Sequence, residues 1–302
     1  MKFGVCIPNY GETGSVEGLR TVALEAEKLG YDSIWTTDHL LMPPQSGTPY
    51  ERVLETITSL AYLAALTSTA KLGISSLILA MRNPAVAVKQ LATIDQLSEG
   101  RVILATSSGW NEAEFKHLGS DFHTRGRRLD ESIKLFRTLW GEAEPAFEGK
   151  VLPHKFSKVV FQPRPIQKHL TIWIGGTSKG AMRRAVNLGD AWHPNVTPLD
   201  TFRKLVGEFR SIPGAERKDI CVRIGLSAKA QKSEYVGAQG DRRLILTGNM
   251  KENKEAISEL ERLGVKQMIV VPSPEGKTSI PDQVESLRFL AENTIRRSDY
   301  IA

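Results

Sequence analysis

Three short stretches hold residues whose types and spacing suit chemistry. "WTTDHLLMPP" follows an apolar, β-branched run with Asp38 and His39, then closes on Pro43 and Pro44. Proline cannot continue a sheet ladder, so the Asp-His pair stands where a strand has just ended. Imidazole titrates near neutrality and suits hydrogen bonding or proton transfer at a redox centre; a plain strand-to-loop turn is the alternative. "IGGTSKGA" ends a strand on Gly175 and Gly176 and opens a helix at Thr177 and Ser178. Amides and hydroxyls at a helix N-terminus make an anion site, and glycine lets a phosphate come close; an ordinary cap after a tight turn is the plainer reading. "TSSGWNEAEF" sets Ser107, Ser108 and Gly109 before Trp110 and Asn111. Small side chains there let a flat ring approach the backbone, while Asn111 with Glu114 three residues on also fits a capping box.

Other chemistries find less support. No H-x-H or H-E-x-x-H spacing occurs, so no metal site is expected, and neither is a serine hydrolase. Cys6 and Cys221 lie far apart in apolar runs and read as buried thiols, not as a disulfide framework. The formal charge is +6 over 302 residues, but the densest basic cluster, "HTRGRRLDE", is broken by acids and a glycine. A nucleic-acid footprint should gather on one face, so no nucleic acid is expected as a partner. No apolar run approaches the ~20 residues of a membrane span. The opening "MKFGVCIPNYGE" lacks the apolar core of a signal peptide, and a cytoplasmic protein with a small-molecule substrate is expected.

The elements that must position these residues alternate with regularity. Strand-like runs cover 2–8, 33–38, 71–80, 101–109, 171–176, 190–195, 220–230 and 267–273. Helical patterns separate them, for example from the cap Ser15 to the stop Gly30, and from Asn83-Pro84 to Gly100. Eight strands separated by helices demand parallel pairing, which closes into a (β/α)8 TIM barrel, here one domain over 1–302. A doubly wound sheet would want G-x-G-x-x-G after its first strand, where the chain reads "PNYGETGS". In a barrel the residues just after each strand share one face: Asn9, Asp38 and His39, Ser75 and Ser76, Ser107 to Asn111, Gly175 to Ser178, His193 and Asn195. Residues 142–169, before the fifth strand, are too long and proline-rich for a simple connection, and read as a lid-like insertion over that mouth.

"LTSTAKLGISSLILAMRNPAVAVKQLATIDQLSEGRVILATSSGWNEAEFKHLG", with "RGRRLDESIKLFRTLW" and "PRPIQKHLTIWIGG" after it, resembles the bacterial-luciferase-like monooxygenases, from Lys2 to about Val271. The Asp-His pair and the helix with Arg125, Gly126, Asp130 and Glu131 are most similar to the branch that uses the deazaflavin coenzyme F420. The resemblance implies a flavin or deazaflavin at the C-terminal mouth. Its phosphate would lie at Gly175, Gly176, Thr177 and Ser178, and its ring near Asp38, Ser75, Ser76, Ser108 and Asn111. It also implies a homodimer, and a non-proline cis peptide between Ser75 and Ser76. Relatives usually carry a Gly-x-Gly-x-Gly-Trp run where this chain has Ala105 to Trp110, so a more polar, fuller pocket floor is expected. Trp110 also stands where the sugar-phosphate dehydrogenases of the F420 branch carry a catalytic glutamate, so their substrate is not implied. The leading expectation is an F420-dependent oxidoreductase, with His39 facing the reacting centre and Asp38 bonding the ring or orienting His39. An FMN-dependent monooxygenase using oxygen is the alternative, and a non-catalytic flavin-binding barrel the second.

Overall fold

The computed structural model of the chain describes residues 1–44, 46, 49–272, 274 and 278–295. Eight strands close a parallel barrel: β1 (Lys2–Cys6), β2 (Ser33–Thr36), β3 (Lys71–Leu77), β4 (Val102–Thr106), β7 (Ile172–Gly175), β8 (Ala191–His193), β9 (Asp219–Leu226) and β12 (Val265–Pro272). Each pairs with the next, and β12 returns to β1 through Lys2↔Gln267 to Val5↔Val270. These strands sit where the sequence places them but stop earlier, because their last residues turn outward into the mouth. Ser273, the expected end of the final strand, lies outside the described residues.

Alternation separates two cores. Val5, Ile7 and Ile34 point outward and join the large apolar layer beneath the helices, while Cys6 and Trp35 point inward with Ile103, Trp173, Cys221 and Ile269. Trp35 stacks on Trp173 with ring centroids 4.7 Å apart and plugs the barrel. Gly73 makes room for it, since a Cβ there would stand 2.3 Å from the indole.

The helices are α1 (Val16–Lys28), α2 (Thr56–Leu66), α3 (Pro84–Leu97), α4 (Glu112–His117), α5 (Arg125–Gly141), α6 (Lys179–Leu188), α7 (Leu199–Arg210), α8 (Met250–Arg262) and α9 (Ile280–Thr294). Two smaller pieces depart from expectation. Residues 142–169 carry a short hairpin, β5 (Phe147–Glu148) with β6 (Lys155–Phe156), and none of them lines the cleft at the C-terminal mouth. The segment instead lies along α3 and α5. The Glu131 carboxylate collects the amides of Lys150, Val151 and Leu152, and Gln167 bonds Asp95 and the Val102 carbonyl. The wall of the mouth comes from a second hairpin, β10 (Glu234–Val236) with β11 (Arg242–Leu246). β11 runs parallel to the end of β9, and its Leu244 amide bonds the Val196 carbonyl, so it is wedged in where β8 and β9 diverge.

Candidate active site

A cleft of about 290 Å³ opens at the C-terminal ends of the barrel strands. The structure brings Asp38, His39, Ser75, Ser76, Ser108, Gly175, Gly176, Thr177 and Ser178 together around it, with His193 and Asn195. Asn111 stands back from the lining. Its Oδ1 accepts the Glu114 amide at 3.1 Å as the cap of α4, and its Nδ2 faces Met42 Sδ. Asn9 also serves as an anchor: it accepts the Thr37 amide and donates to the Thr37 carbonyl, which fixes the start of the Asp38-His39 loop.

The Asp-His pair is held by two separate partners. Asp38 is buried, accepts the Ile78 amide at 2.9 Å and pairs with Arg82, which also meets Glu55 at 3.0 Å. Its carboxylate therefore faces Arg82 and β3's exit instead of orienting His39. His39 is oriented by Glu114, whose Oε2 lies 2.9 Å from Nδ1 while Oε1 accepts the Leu40 amide. Because a carboxylate only accepts, Nδ1 carries the hydrogen, and Nε2 has no partner among the described residues. Tyr50 stacks on the imidazole at 4.4 Å, and Trp110 meets it edge-on at 5.8 Å. Glu114 answers Asn111 in the sequence pattern, but its carboxylate reaches across to the second strand's exit.

The floor is built on β3, β8 and β9. The Ser75–Ser76 peptide is cis, at an irregularity in the β3–β4 register. His193 Nδ1 donates to the Cys221 carbonyl at 2.7 Å, so Nε2 accepts the Ser75 hydroxyl at 2.8 Å. Burial pulls the His193 pKa down to about 4, with Arg223's charge adding to the fall and the Cys221 bond opposing it. His193 is thus a neutral acceptor. Arg223 donates to the Ser75 carbonyl at 3.1 Å and to the Thr37 hydroxyl at 3.1 Å.

The far wall fits a phosphate. Gly176 has φ +110, a backbone that favours glycine, and a Cβ on Gly175 would stand 2.9 Å from Ser76 Oγ. Ser178 Oγ accepts the Ala181 amide, which leaves the Lys179 and Gly180 amides without acceptors among the described residues. Gly176 to Gly180 also spell the G-x-S-x-G of a nucleophile elbow, although no serine hydrolase is expected. Ser178 is spent as a helix cap, and no histidine bonds it among the described residues. The small residues Ser75, Ser76, Ser107, Ser108 and Gly109 leave a slot for a flat ring between this cradle and His39.

Sequence reasoning missed Arg82, Tyr50, Arg223, Arg243 and Gln239 at or beside this cleft. An arginine inside the apolar run "ICVRIGL" was the available signal for Arg223.

A closed parallel (β/α)8 barrel with a cleft of small and polar residues at its C-terminal mouth is the class that fold and site define. The profile of the luciferase-like monooxygenases matches residues 1–268, and the chain belongs to that family. It is 32% identical over 170 residues to an FMNH(2)-dependent dimethylsulfone monooxygenase of Pseudomonas putida, covering 55% of this chain and 46% of that one. It is 30% identical over 181 residues to an F420-dependent glucose-6-phosphate dehydrogenase of Kineococcus radiotolerans, covering 58% and 51%. The matches thus span about half the length of these relatives. Among solved structures, the monooxygenase RslO1 from Streptomyces bottropensis superposes with TM-score 0.78 at 19% identity over 99% and 100% of the chains. An F420-dependent secondary alcohol dehydrogenase superposes with TM-score 0.76 at 16% identity over 97% and 98%; at these identities the likeness is one of fold.

Proposed function

We propose that this chain is an oxidoreductase that uses coenzyme F420 for hydride transfer to or from a small organic substrate. The observation that carries this reading is the His39–Glu114 pair, held with its open Nε2 on the same cleft as the Gly175–Ser178 cradle. The bound deazaflavin would supply a ring carbon that accepts or releases hydride. Gly175, Gly176, Thr177 and Ser178 would hold its phosphate, and Ser75, Ser76 and Ser108 would flank the ring. His39 would move a proton at the substrate atom beside the reacting carbon, and Glu114 would keep the imidazole in the Nδ1–H form. Asp38, paired with Arg82, would brace the Ile78 side of the ring slot through its own bond to the Ile78 amide.

A second reading, an FMN-dependent monooxygenase, draws on the similarity to the dimethylsulfone monooxygenase. Titrating the purified protein with F420 and FMN in separate experiments tests the choice. Tight binding of F420, and a reduced complex that survives in air, is the expected result. Tight binding of FMN alone, with a reduced complex that oxidises within seconds, would overturn it. Cofactor binding without turnover across a panel of alcohols, aldehydes and enones would point instead to a non-catalytic barrel.

A further inference from the structure

We propose that the substrate of this cleft is an organic anion, carrying a carboxylate or sulfonate group, and that Arg223 reads its charge. The role as substrate rests on the oxidoreductase reading above; the anion site itself does not.

Among the described residues, the other charged side chains at the cleft each have an ionisable partner. Asp38 pairs with Arg82, Glu114 with His39, and Arg243 with Asp241 through two bonds of 2.7 and 2.9 Å. Arg223 lines the cleft and has no carboxylate within ion-pair distance among the described residues. Its bonds run to neutral atoms: the Ser75 carbonyl, the Thr37 hydroxyl and Cys6 Sγ. Burial pushes the Tyr10 and Tyr235 phenols up from their ordinary range, so neither supplies a negative charge near neutral pH. A guanidinium stays protonated throughout the accessible pH range, and a sheltered cation without a counter-ion is costly.

The guanidinium also has capacity to spare. Nη1 makes one bond, Nη2 two and Nε none, so two of its five N–H groups lack an acceptor among the described residues. Arginine's planar fork suits carboxylate and sulfonate oxygens. Tyr50 and Trp110, gathered around His39, offer aromatic faces for the organic body of such a ligand. The Gly175–Ser178 cradle lies at the end of β7 and, among the described residues, shares no hydrogen bond with Arg223, whose bonds run to β1, β3 and the exit of β2 instead. One other source of negative charge would suit it, the reduced ring itself.

The test uses the oxidised, cofactor-loaded protein at low salt and compares isosteric pairs, methanesulfonate with dimethyl sulfone and propionate with propionamide, by calorimetry and tryptophan fluorescence. The expected result is that each anion binds at least about tenfold more tightly than its neutral partner, and that Arg223→Gln weakens the anions about a hundredfold while barely moving the neutral compounds. Arg223→Lys should restore part of the loss, and both variants are compared at saturating cofactor. Equal binding within each pair, or no binding by any probe, would overturn the proposal. So would wild-type anion affinity in Arg223→Gln. If no anion binds and Arg223→Gln instead lowers the midpoint potential of the bound cofactor, the charge serves the reduced ring and the substrate assignment fails. Should Arg223→Gln not fold, the wild-type comparison within each pair decides alone. Should neither cofactor bind, the oxidoreductase reading fails, and the same pairs on the cofactor-free protein still decide whether the anion site exists.

Discussion

Glu114 decides what His39 can offer, because a buried carboxylate on Nδ1 leaves only Nε2 for the cleft. Removing the imidazole outright would strip Glu114 of one of its two partners, so His39→Asn is the cleaner change, with an amide that can still donate to the carboxylate. His39→Asn should slow single-turnover reduction of the bound cofactor by roughly 10²–10⁴-fold while leaving cofactor affinity unchanged. A wild-type rate in that variant would reduce the pair to a strand terminator. His193 makes a prediction about pH. Its folded pKa near 4 lies below the ~6.5 of an exposed imidazole, so between these values the unfolded chain takes up a proton that the folded chain refuses. The contribution to stability is complete above about pH 6.5 and declines as pH falls toward 4. Between pH 7 and pH 5 the wild type should lose about 2 kcal/mol more than His193→Gln, measured by urea unfolding at each pH. Parallel curves for the two proteins would rule this out.

At the scale of elements, the turn from β7 into α6 fixes where an anion can sit. Gly176→Asp places a carboxylate in the cradle, and the φ of +110 makes any side chain there strained. Cofactor affinity should fall by about 2–5 kcal/mol in equilibrium titration, with a cooperative unfolding transition retained. A folded variant with undiminished affinity would exclude the cradle as the phosphate site. This turn was legible in the sequence because its signals are local: a strand, two glycines, a hydroxyl cap and a helix in succession. The barrel strands were legible for the same reason, through their β-branched runs and the capped helices between them. The pairings that tune the site were not. His39 and Glu114 are 75 residues apart and Asp38 and Arg82 are 44 apart, so only the closed sheet brings them together. The β10–β11 hairpin escaped as well, since "EYV" is three residues long and "RRLIL" opens on two arginines, which reads as a polar loop. The segment 142–169 misled in the other direction. Its length suggested a lid, but Glu131, Asp95 and Lys89 tie it along α3 and α5.

Across the whole molecule, the two ends of the barrel do different work. The C-terminal mouth holds the cleft, while the N-terminal end is secured by charge-assisted bonds that touch nothing in it. Arg101, just before β4, spends all five N–H groups there: on the Ser98, Ala64, Thr67 and Ala70 carbonyls and the Thr67 hydroxyl, at 2.8–3.0 Å. Glu27, from α1, grips the same turn from its amide side, accepting Ser68, Thr69 and Ala70. These bonds hold its carboxyl below the usual range against the opposing effect of burial. The turn between α2 and β3 is therefore clamped on both its donors and its acceptors. Arg101→Met would keep most of the aliphatic packing and release four carbonyls, some of which water can reach. The loss should be about 1–3 kcal/mol of unfolding free energy, the scale of charged hydrogen bonds partly replaced by solvent. Because β3 carries Ser75 and Ser76 from this turn to the mouth, a flexible barrel would pass the damage upward. A rigidly packed one would not, and the interior filled by Trp35 and Trp173 argues for the second. Arg101→Met should therefore lower the urea midpoint while leaving cofactor affinity and the single-turnover rate within twofold of wild type, about 0.4 kcal/mol. A matching drop in cofactor affinity would mean that the two ends are mechanically coupled, and the division of labour assigned here would be wrong.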